Sequence, residues 1–189
     1  YTVLIIGGLV AVIPFLYTLL VSLMNQTEAL GGAFFPSSFQ WDNYVEAWNQ
    51  ASFSKYFWNS VRISALTVSG EVIFCTLAAY AFARMQWRGR NVVFLLYIAT
   101  LMVPSQVTIT PLFILMQRLG WVDTYPGLIA PSIVSAFGVF LLRQAMLSVP
   151  REYEEAAVLD GATHWTIFRH VVLPMIGPAL ATLGVFATM

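Results

Sequence analysis

The sequence predicts an all-α membrane protein, a polytopic bundle of transmembrane helices, on two observations. Of its 189 residues, 59% are hydrophobic and only 10% are charged, whereas soluble domains carry about 25% charged residues. The apolar residues also fall into long uncharged blocks, which the buried core of a soluble protein does not explain. The net charge of zero argues against a nucleic-acid partner.

Five blocks have about the length that a spanning helix requires, which is about 20 apolar residues. They cover residues 1–24, 57–83, 92–117, 125–142 and 171–189. None shows the alternating pattern of a barrel strand, so helices must satisfy the backbone within the bilayer. Tyr1 and Met189 both lie inside apolar runs, and we therefore expect the chain to be truncated at both ends.

Arginine placement predicts the orientation of these blocks. Three arginines follow the second block and three lie between the fourth and fifth: Arg84, Arg88, Arg90, Arg143, Arg151 and Arg169. By the positive-inside rule, these two loops are cytoplasmic and residues 25–56 are external. In that external segment we expect one helix, beginning near Trp41-Asp42-Asn43.

A charged hairpin, residues 148–170, separates the fourth block from the fifth. It holds four of the nine acidic residues of the chain, Glu152, Glu154, Glu155 and Asp160. We expect Ser148 to cap a helix with Pro150 in its first turn. Gly161 would end that helix in the left-handed conformation, and Thr163 would cap a second helix that runs into the fifth block.

A charged helix between two spans has no lipid to face, so it faces water or a protein partner. Tyr153, Ala156, Ala157 and Asp160 fall on one stripe at helical spacing, and small residues there permit close approach of another backbone. A solvated loop helix with ordinary caps is the alternative interpretation, and local chemistry alone leaves both open.

The hairpin carries a recognisable motif. Glu155-Ala156-Ala157, Gly161, Val171 and Leu173-Pro174, with three, nine and one intervening residues, resemble the EAA signature of inner-membrane permeases in binding-protein-dependent ABC importers. Valine stands at 171 where the signature usually has isoleucine. Further segments resemble the carbohydrate branch, in particular the second permease subunit of maltose-type transporters: residues 59–61, 78–84, 137–144 and 178–183.

This resemblance implies a single permease domain with six spans, of which five are present, and a cytoplasmic coupling helix in the hairpin. It implies that Glu155, Ala156, Ala157 and Gly161 contact a separate ABC ATPase subunit. The helical stripe adds Tyr153 and Asp160 to these docking candidates. Expected further partners are a second permease subunit, an external solute-binding protein, a sugar and the lipid of a bacterial or archaeal plasma membrane.

We expect no cofactor in this chain, because ATP and Mg²⁺ would bind the ATPase subunits. The single lysine, Lys55, has no glycine-rich loop before it, so the P-loop pattern is missing. The two histidines, His164 and His170, form no recognisable metal-ligand pattern. Cys75 lies in an apolar run and is expected to be a small buried residue.

Polar residues inside the predicted spans are candidates for the substrate path. Glu71 lies well inside the second block, and ionisable groups at that depth usually serve a function. Its structural alternative is a pair with an arginine or amide on a neighbouring helix. Ser105, Gln106 and Thr108 lie between two prolines of the third block. They are suited to hydrogen-bonding a polyol, or equally their own backbone or other helices.

The sequence therefore predicts a permease subunit, not an enzyme, of an ATP-driven importer for a sugar or oligosaccharide. An alternative cargo is another polar solute, such as a glycerol phosphoester or polyol. Two other classes remain, both built on Glu71: a proton-coupled secondary transporter and a membrane-embedded enzyme. The enzyme would need a second catalytic group at similar depth, and the sequence offers none.

Overall fold

The computed structural model describes residues 1–188, with the backbone alone at Val3. Every regular element in this range is helical, which confirms the predicted all-α class. The chain divides into two compact units, Tyr1–Asn59 and Ser60–Met189, and each has its own helices and contacts.

The first unit opens with the apolar helix α1 (Thr2–Ser22). Its side chains are exposed on all sides, with Leu4 at 75% and Leu9 at 64%. A helix that is apolar all round is suited to lipid, and α1 contacts the rest of its unit through Tyr17 and Ser22. Pro14 lies inside the helix, and the Thr18 hydroxyl donates to its carbonyl at 2.9 Å.

Two short helices follow, where the sequence predicted only one. Helix α2 (Gln26–Gly31) was missed, although Asn25 and Glu28 form a capping box at its start, a pattern that marks a helix N-terminus. Helix α3 (Asp42–Gln50) begins where the sequence predicted a helix. The Asn43 amide donates to the carbonyls of Ser22 and Met24 at 3.0 and 2.8 Å, which fixes the start of α3 to the end of α1.

Helix α4 (Phe53–Ala83) runs for 31 residues, and its part from Ser60 onward belongs to the second unit. Helix α5 (Arg90–Ala99) continues as a 3₁₀ turn to Met102, and helix α6 (Ser105–Arg118) follows after a bend of 101°. The block 92–117 is therefore not one straight helix. Pro104 disfavours helical backbone at the residue before it, and Val103 is extended, with ψ 116°.

The fourth block is also divided. Helix α7 (Tyr125–Ile129) and the 3₁₀ turn Ala130–Ser132 precede helix α8 (Ala136–Ser148), with a bend of 44° between the two parts. Ser135 caps α8 by accepting a hydrogen bond from the Gly138 N–H at 2.9 Å. Helix α8 ends six residues beyond the predicted limit of the block at 142.

The chain then forms the hairpin and the last apolar segment. Helix α9 (Glu152–Leu159) and helix α10 (His164–Ile167) make the hairpin. A π-helical turn, Phe168–Val172, leads into the short helix α11 (Leu173–Met175), and helix α12 (Gly177–Thr188) follows. The bend between residues 164–175 and α12 is 76°.

Within the described residues, two helices are long and apolar enough to cross a membrane, Leu4–Ser22 and Phe53–Ala83. Counting each of the three bent pairs as one span raises the number to five. Length and composition alone define these spans, and their limits in the bilayer stay a prediction.

The core of the second unit lies between α4, α8 and the last segment. Cys75 and Ala79 of α4 and Val139 and Leu142 of α8 are fully buried, together with Val172. The burial of Cys75 agrees with the sequence prediction. Because the early residues of α4 in this core meet the start of α8 and the late ones meet its end, the two helices run in the same direction.

Candidate functional site at the acidic hairpin

Helix α9 begins by different means from those the sequence predicted. No side chain caps its start, and the residue at that position is Arg151. Ser148 instead donates its hydroxyl to the carbonyl of Ala145 at 2.8 Å, and Pro150 precedes the helix, so both predictions about the start were wrong. The cause is local: Ser148 is still the last residue of α8, where its hydroxyl reaches back along that helix.

The predicted end of α9 and the start of α10 are confirmed. Gly161 has φ of 82°, the left-handed conformation that favours glycine. The N–H groups of Gly161 and Ala162 donate to carbonyls in the last turn of α9, both at 2.9 Å. Thr163 caps α10 by accepting from the Thr166 N–H at 3.3 Å.

The predicted docking residues divide between the surface and the interior. Five are exposed, namely Tyr153, Glu155, Ala156, Asp160 and Gly161. Ala157 is half-buried and packs against the core, and Asp160 lies just past the last helical residue. The predicted stripe is thus exposed at Tyr153, Ala156 and Asp160, with Ala157 turned inward.

Two apolar side chains of this helix stand in solvent. Leu159 is 89% exposed and Val158 is 56% exposed. Burying a leucine or valine side chain is worth roughly 1.5–3 kcal/mol. The exposed end of α9 is therefore a surface that gains from being covered. Neither residue belongs to the motif, so the motif alone does not reveal this surface.

Arg84 joins the hairpin to the end of α4. One terminal nitrogen of its guanidinium donates to the carbonyls of Met146 and Val149 at 2.6 and 2.7 Å. Its Nε lies 2.7 Å from Oε1 of Glu154 as an ion pair, without the alignment of a hydrogen bond. The Arg84 and Glu154 side chains are only 5% and 16% exposed. Arg84 therefore contacts both the end of α8 and the start of α9.

The second limb of the hairpin is attached through apolar contacts. Tyr80 of α4 packs edge-on against Phe168, with ring centroids 4.9 Å apart, and its hydroxyl donates to the His164 carbonyl at 3.4 Å. Ile167 and Phe168 are 2% and 4% exposed. Trp165 packs beside Phe168 at 5.3 Å but remains 60% exposed.

A cavity of about 490 Å³ lies at the base of the hairpin. Its lining mixes charges of both signs with apolar side chains: Arg84, Arg151, Glu154, Glu155, Val158, Leu159, His164 and Ile167. Glu155 and Leu159 are both exposed on α9, and we call them the exposed face of this helix. Both border the cavity, so the exposed face and the Arg84 contact belong to one site.

The buried acid of α4 lies apart from the hairpin. Glu71 is 8% exposed, and its Oε1 accepts a hydrogen bond from the Ser135 hydroxyl at 2.5 Å. Ser135 is at the same time the cap of α8. The partner of Glu71 is thus a hydroxyl at a helix N-terminus, where a carboxylate is favoured. In the described part of the chain, no arginine forms an ion pair with it.

The other substrate-path candidates do not join Glu71. Ser105, Gln106 and Thr108 are all exposed at the start of α6. Thr108 donates its hydroxyl to the carbonyl of Ser105 at 2.8 Å, one of the two uses that the sequence left open. Across the described residues, no hydrogen bond connects this group with Glu71.

The family of the chain follows from comparison with known proteins. The model of the family described as "binding-protein-dependent transport system inner membrane component" matches residues 71–189, which include α8 and the whole hairpin. The chain belongs to this family. That finding confirms the resemblance noted in the sequence, and this family consists of membrane transport components rather than enzymes.

Two relatives of the chain are named for the transport of sugars. The chain is 37% identical to an arabinooligosaccharide transport permease of Halalkalibacterium halodurans, covering 93% of this chain and 65% of the relative. It is 33% identical to a diacetylchitobiose uptake permease of Streptomyces coelicolor, covering 98% and 63% respectively. The chain thus spans somewhat less than two thirds of the length of both relatives.

A solved structure has the same fold. It is a crystal structure of a bacterial ABC transporter involved in importing the acidic polysaccharide alginate, and one of its chains superposes with a TM-score of 0.86 at 27% identity. The match covers 99% of this chain and 67% of that one. This likeness confirms that the chain has the helical fold of an ABC importer permease.

Proposed function

We propose that the chain is one of two permease subunits of an ATP-driven ABC importer for a sugar or oligosaccharide. An external solute-binding protein would deliver the cargo, and ATPase subunits would carry ATP and Mg²⁺. The protein would be a multi-pass component of a bacterial or archaeal inner membrane, with the hairpin 148–170 on the cytoplasmic side. The sugar-transport names of two relatives support this class of cargo.

The exposed face of α9 is the single observation that carries the proposal. It combines acidic Glu155 with the strongly exposed Leu159 on a helix that Arg84 and Glu154 hold against α4. Such a face suits a partner that offers both an apolar cleft and a basic group. An ATPase subunit docked there would transmit its motion to α4 and α8 through the contacts at the base of the hairpin.

Reversing a charge on this face tests the docking role. Glu155→Lys should reduce recovery of the ATPase subunit with the permease at least about tenfold, because like or mismatched charges at an interface cost several kcal/mol. The matched control is Glu46→Lys, an exposed acid of helix α3 outside the hairpin. Equal recovery from both variants and the parent would contradict docking through this face.

Cargo is tested separately in membrane vesicles that hold the complete importer. Arabinooligosaccharides and diacetylchitobiose are the first probes, and glycerol 3-phosphate represents the alternative cargo. We expect ATP-dependent uptake of an oligosaccharide and none of the phosphoester. Uptake of glycerol 3-phosphate alone would replace the proposed cargo and leave the importer class intact.

Glu71 separates the importer from the two alternatives. Because its carboxylate is hydrogen-bonded to Ser135 at the start of α8, we assign it a structural role rather than proton transfer. Glu71→Gln keeps a side-chain oxygen that can accept the hydrogen bond from Ser135. The variant should therefore still take up solute with ATP, and this uptake should persist without a proton gradient. Complete loss of uptake with normal assembly would favour a proton-coupled or catalytic role. Ser105, Gln106 and Thr108 remain candidates for contact with the cargo.

A further inference from the structure

We infer that the Arg84–Glu154 pair is a positioning device that makes helix α9 move with helices α4 and α8. This inference rests on the proposed function, since it assigns residues within the chain to the transmission of an ATPase stroke. Glu154 acts here through Arg84, and neither residue needs to touch the ATPase or the cargo.

The four acids of the hairpin divide by exposure. Glu152, Glu155 and Asp160 are exposed, whereas Glu154 is half-buried, with its carboxylate against Arg84. Exposed acids are available to a partner, but Glu154 is already engaged within the chain. Its position next to the signature residues is therefore explained by an internal contact.

The two limbs of the hairpin are attached by different interactions. The α10 limb is held by Phe168 and Ile167, which are buried in the core, and by Tyr80 of α4. The α9 limb has the half-buried Ala157 and the ion pair of Glu154 with Arg84. Losing the pair should therefore free α9 to change its angle to α4, while the apolar packing of α10 keeps the hairpin folded.

Arg84 also connects α9 to the end of α8. The same guanidinium that faces Glu154 binds the carbonyls of Met146 and Val149 at the end of α8. Arginine can make several directed contacts at once because its guanidinium is planar and carries five N–H donors. A displacement of α9 is consequently passed to the ends of two core helices at one point.

The test uses Glu154→Ala in the full-length protein, assembled with its second permease, ATPase and binding protein. Alanine has the highest helix propensity, so α9 itself should persist. The matched control is Glu46→Ala, an exposed acid of helix α3 outside the hairpin. Arg84 is left unchanged in this experiment because its loss would also release the end of α8.

The first readout is the amount of solute transported per ATP hydrolysed, with arabinotriose as the probe. Glu154→Ala should lower this ratio at least about fivefold, the small end of usual coupling between sites, while the ATPase still assembles. Glu46→Ala should match the parent. An unchanged ratio in Glu154→Ala, or an equal fall in both variants, would overturn the inference.

The second readout is a spin-label distance between the exposed positions 85 and 152, with the buried Cys75 left unlabelled. The distance distribution should be narrow in the parent and clearly broader in Glu154→Ala. An equally narrow distribution in the variant overturns the inference. If Glu154→Ala is not recovered from membranes, Glu154→Gln takes its place and must meet both criteria.

Failure of the proposed function looks different from failure of this inference. If the parent complex neither binds an ATPase nor transports any probe, the proposed importer function is wrong, and the inference fails with it. A working parent whose Glu154→Ala variant behaves like the parent removes only the inference.

Discussion

The two ends of helix α8 are held by Glu71 of α4 and by Arg84 directly after α4, which are groups of opposite charge. At its N-terminus, Glu71 reaches the capping Ser135, and at its C-terminus Arg84 binds the carbonyls of Met146 and Val149. A helix carries partial positive charge at its start and partial negative charge at its end. The acidic Glu71 lies at the positive start of α8 and the basic Arg84 at its negative end, so each side chain complements the end of α8 that it contacts.

The difference between the two ends lies in what else each contact holds. We call the Glu71 end closed, because its contacts stay between α4 and α8. Ser135 donates to the Glu71 carboxylate and accepts from the Gly138 N–H in the first turn of α8. The Arg84 end is shared, because the same guanidinium also pairs with Glu154 of the hairpin. One contact is thus confined to α4 and α8, whereas the other also involves α9.

Removing Arg84 should have the largest effect on stability. Arg84→Ala leaves Glu154 without its partner and removes the guanidinium donor from the Val149 carbonyl, while the Met146 carbonyl keeps the Val149 N–H as a donor. Breaking a buried pair usually costs about 3–5 kcal/mol, and the 16% exposure of Glu154 places the expected loss near the lower limit. Thermal unfolding in detergent measures it, with Arg88→Ala in the exposed loop as the control. Similar unfolding temperatures for both variants would show that the shared end contributes little.

A glycine at the closed end gives the next largest effect. A Cβ at Gly138 would lie 2.8 Å from Ser135 Oγ and 3.0 Å from Cys75 Sγ, so Gly138→Ala must displace the capping serine. Overpacking of this kind costs roughly 1–3 kcal/mol. Gly184→Ala is the matched control because nothing lies within 4 Å of its Cβ, and it should be neutral or slightly stabilising. Equal unfolding temperatures would argue against tight packing of α4 on α8.

The cap itself should contribute least. Ser135→Ala removes the acceptor for the Gly138 N–H and the donor to Glu71, and loss of a cap costs about 0.5–2 kcal/mol. Ser148→Ala is the natural control, since Ser148 caps no helix and exposed substitutions change stability by less than about 0.5 kcal/mol. A destabilisation of Ser148→Ala as large as that of Ser135→Ala would contradict the distinction between these two serines.

Much of the fold could be read from the sequence because its signals are local. Runs of apolar residues predicted the long helices, and Gly161 and Thr163 predicted the turn of the hairpin through their own backbone chemistry. The same local reasoning failed for α2, whose Asn25–Glu28 box lay in a segment read mainly for its aromatic residues. It also did not place the 101° bend within residues 92–117, although Pro104 carried a signal for one.

The contacts of the site could not be predicted in the same way. Glu71 meets Ser135 and Arg84 meets Glu154 only after the chain has folded, with more than sixty residues between the partners in each pair. No periodicity or motif links positions so far apart. Arg84 was accordingly interpreted only as a topological charge, and the partner of Glu71 was expected to be an arginine or amide rather than a hydroxyl.

Because α4 fastens α8 at both ends, the two helices form a stiff beam within the second unit. Helical hydrogen bonding is interrupted at places outside that beam. Two such places are the 101° bend at Val103-Pro104 and the 76° bend near Ile176. The 76° bend turns α12 back onto this beam, where Leu183 is buried in the core and the Phe186 ring lies 5.5 Å from that of Phe137 of α8, so the last segment braces α8 on a further side.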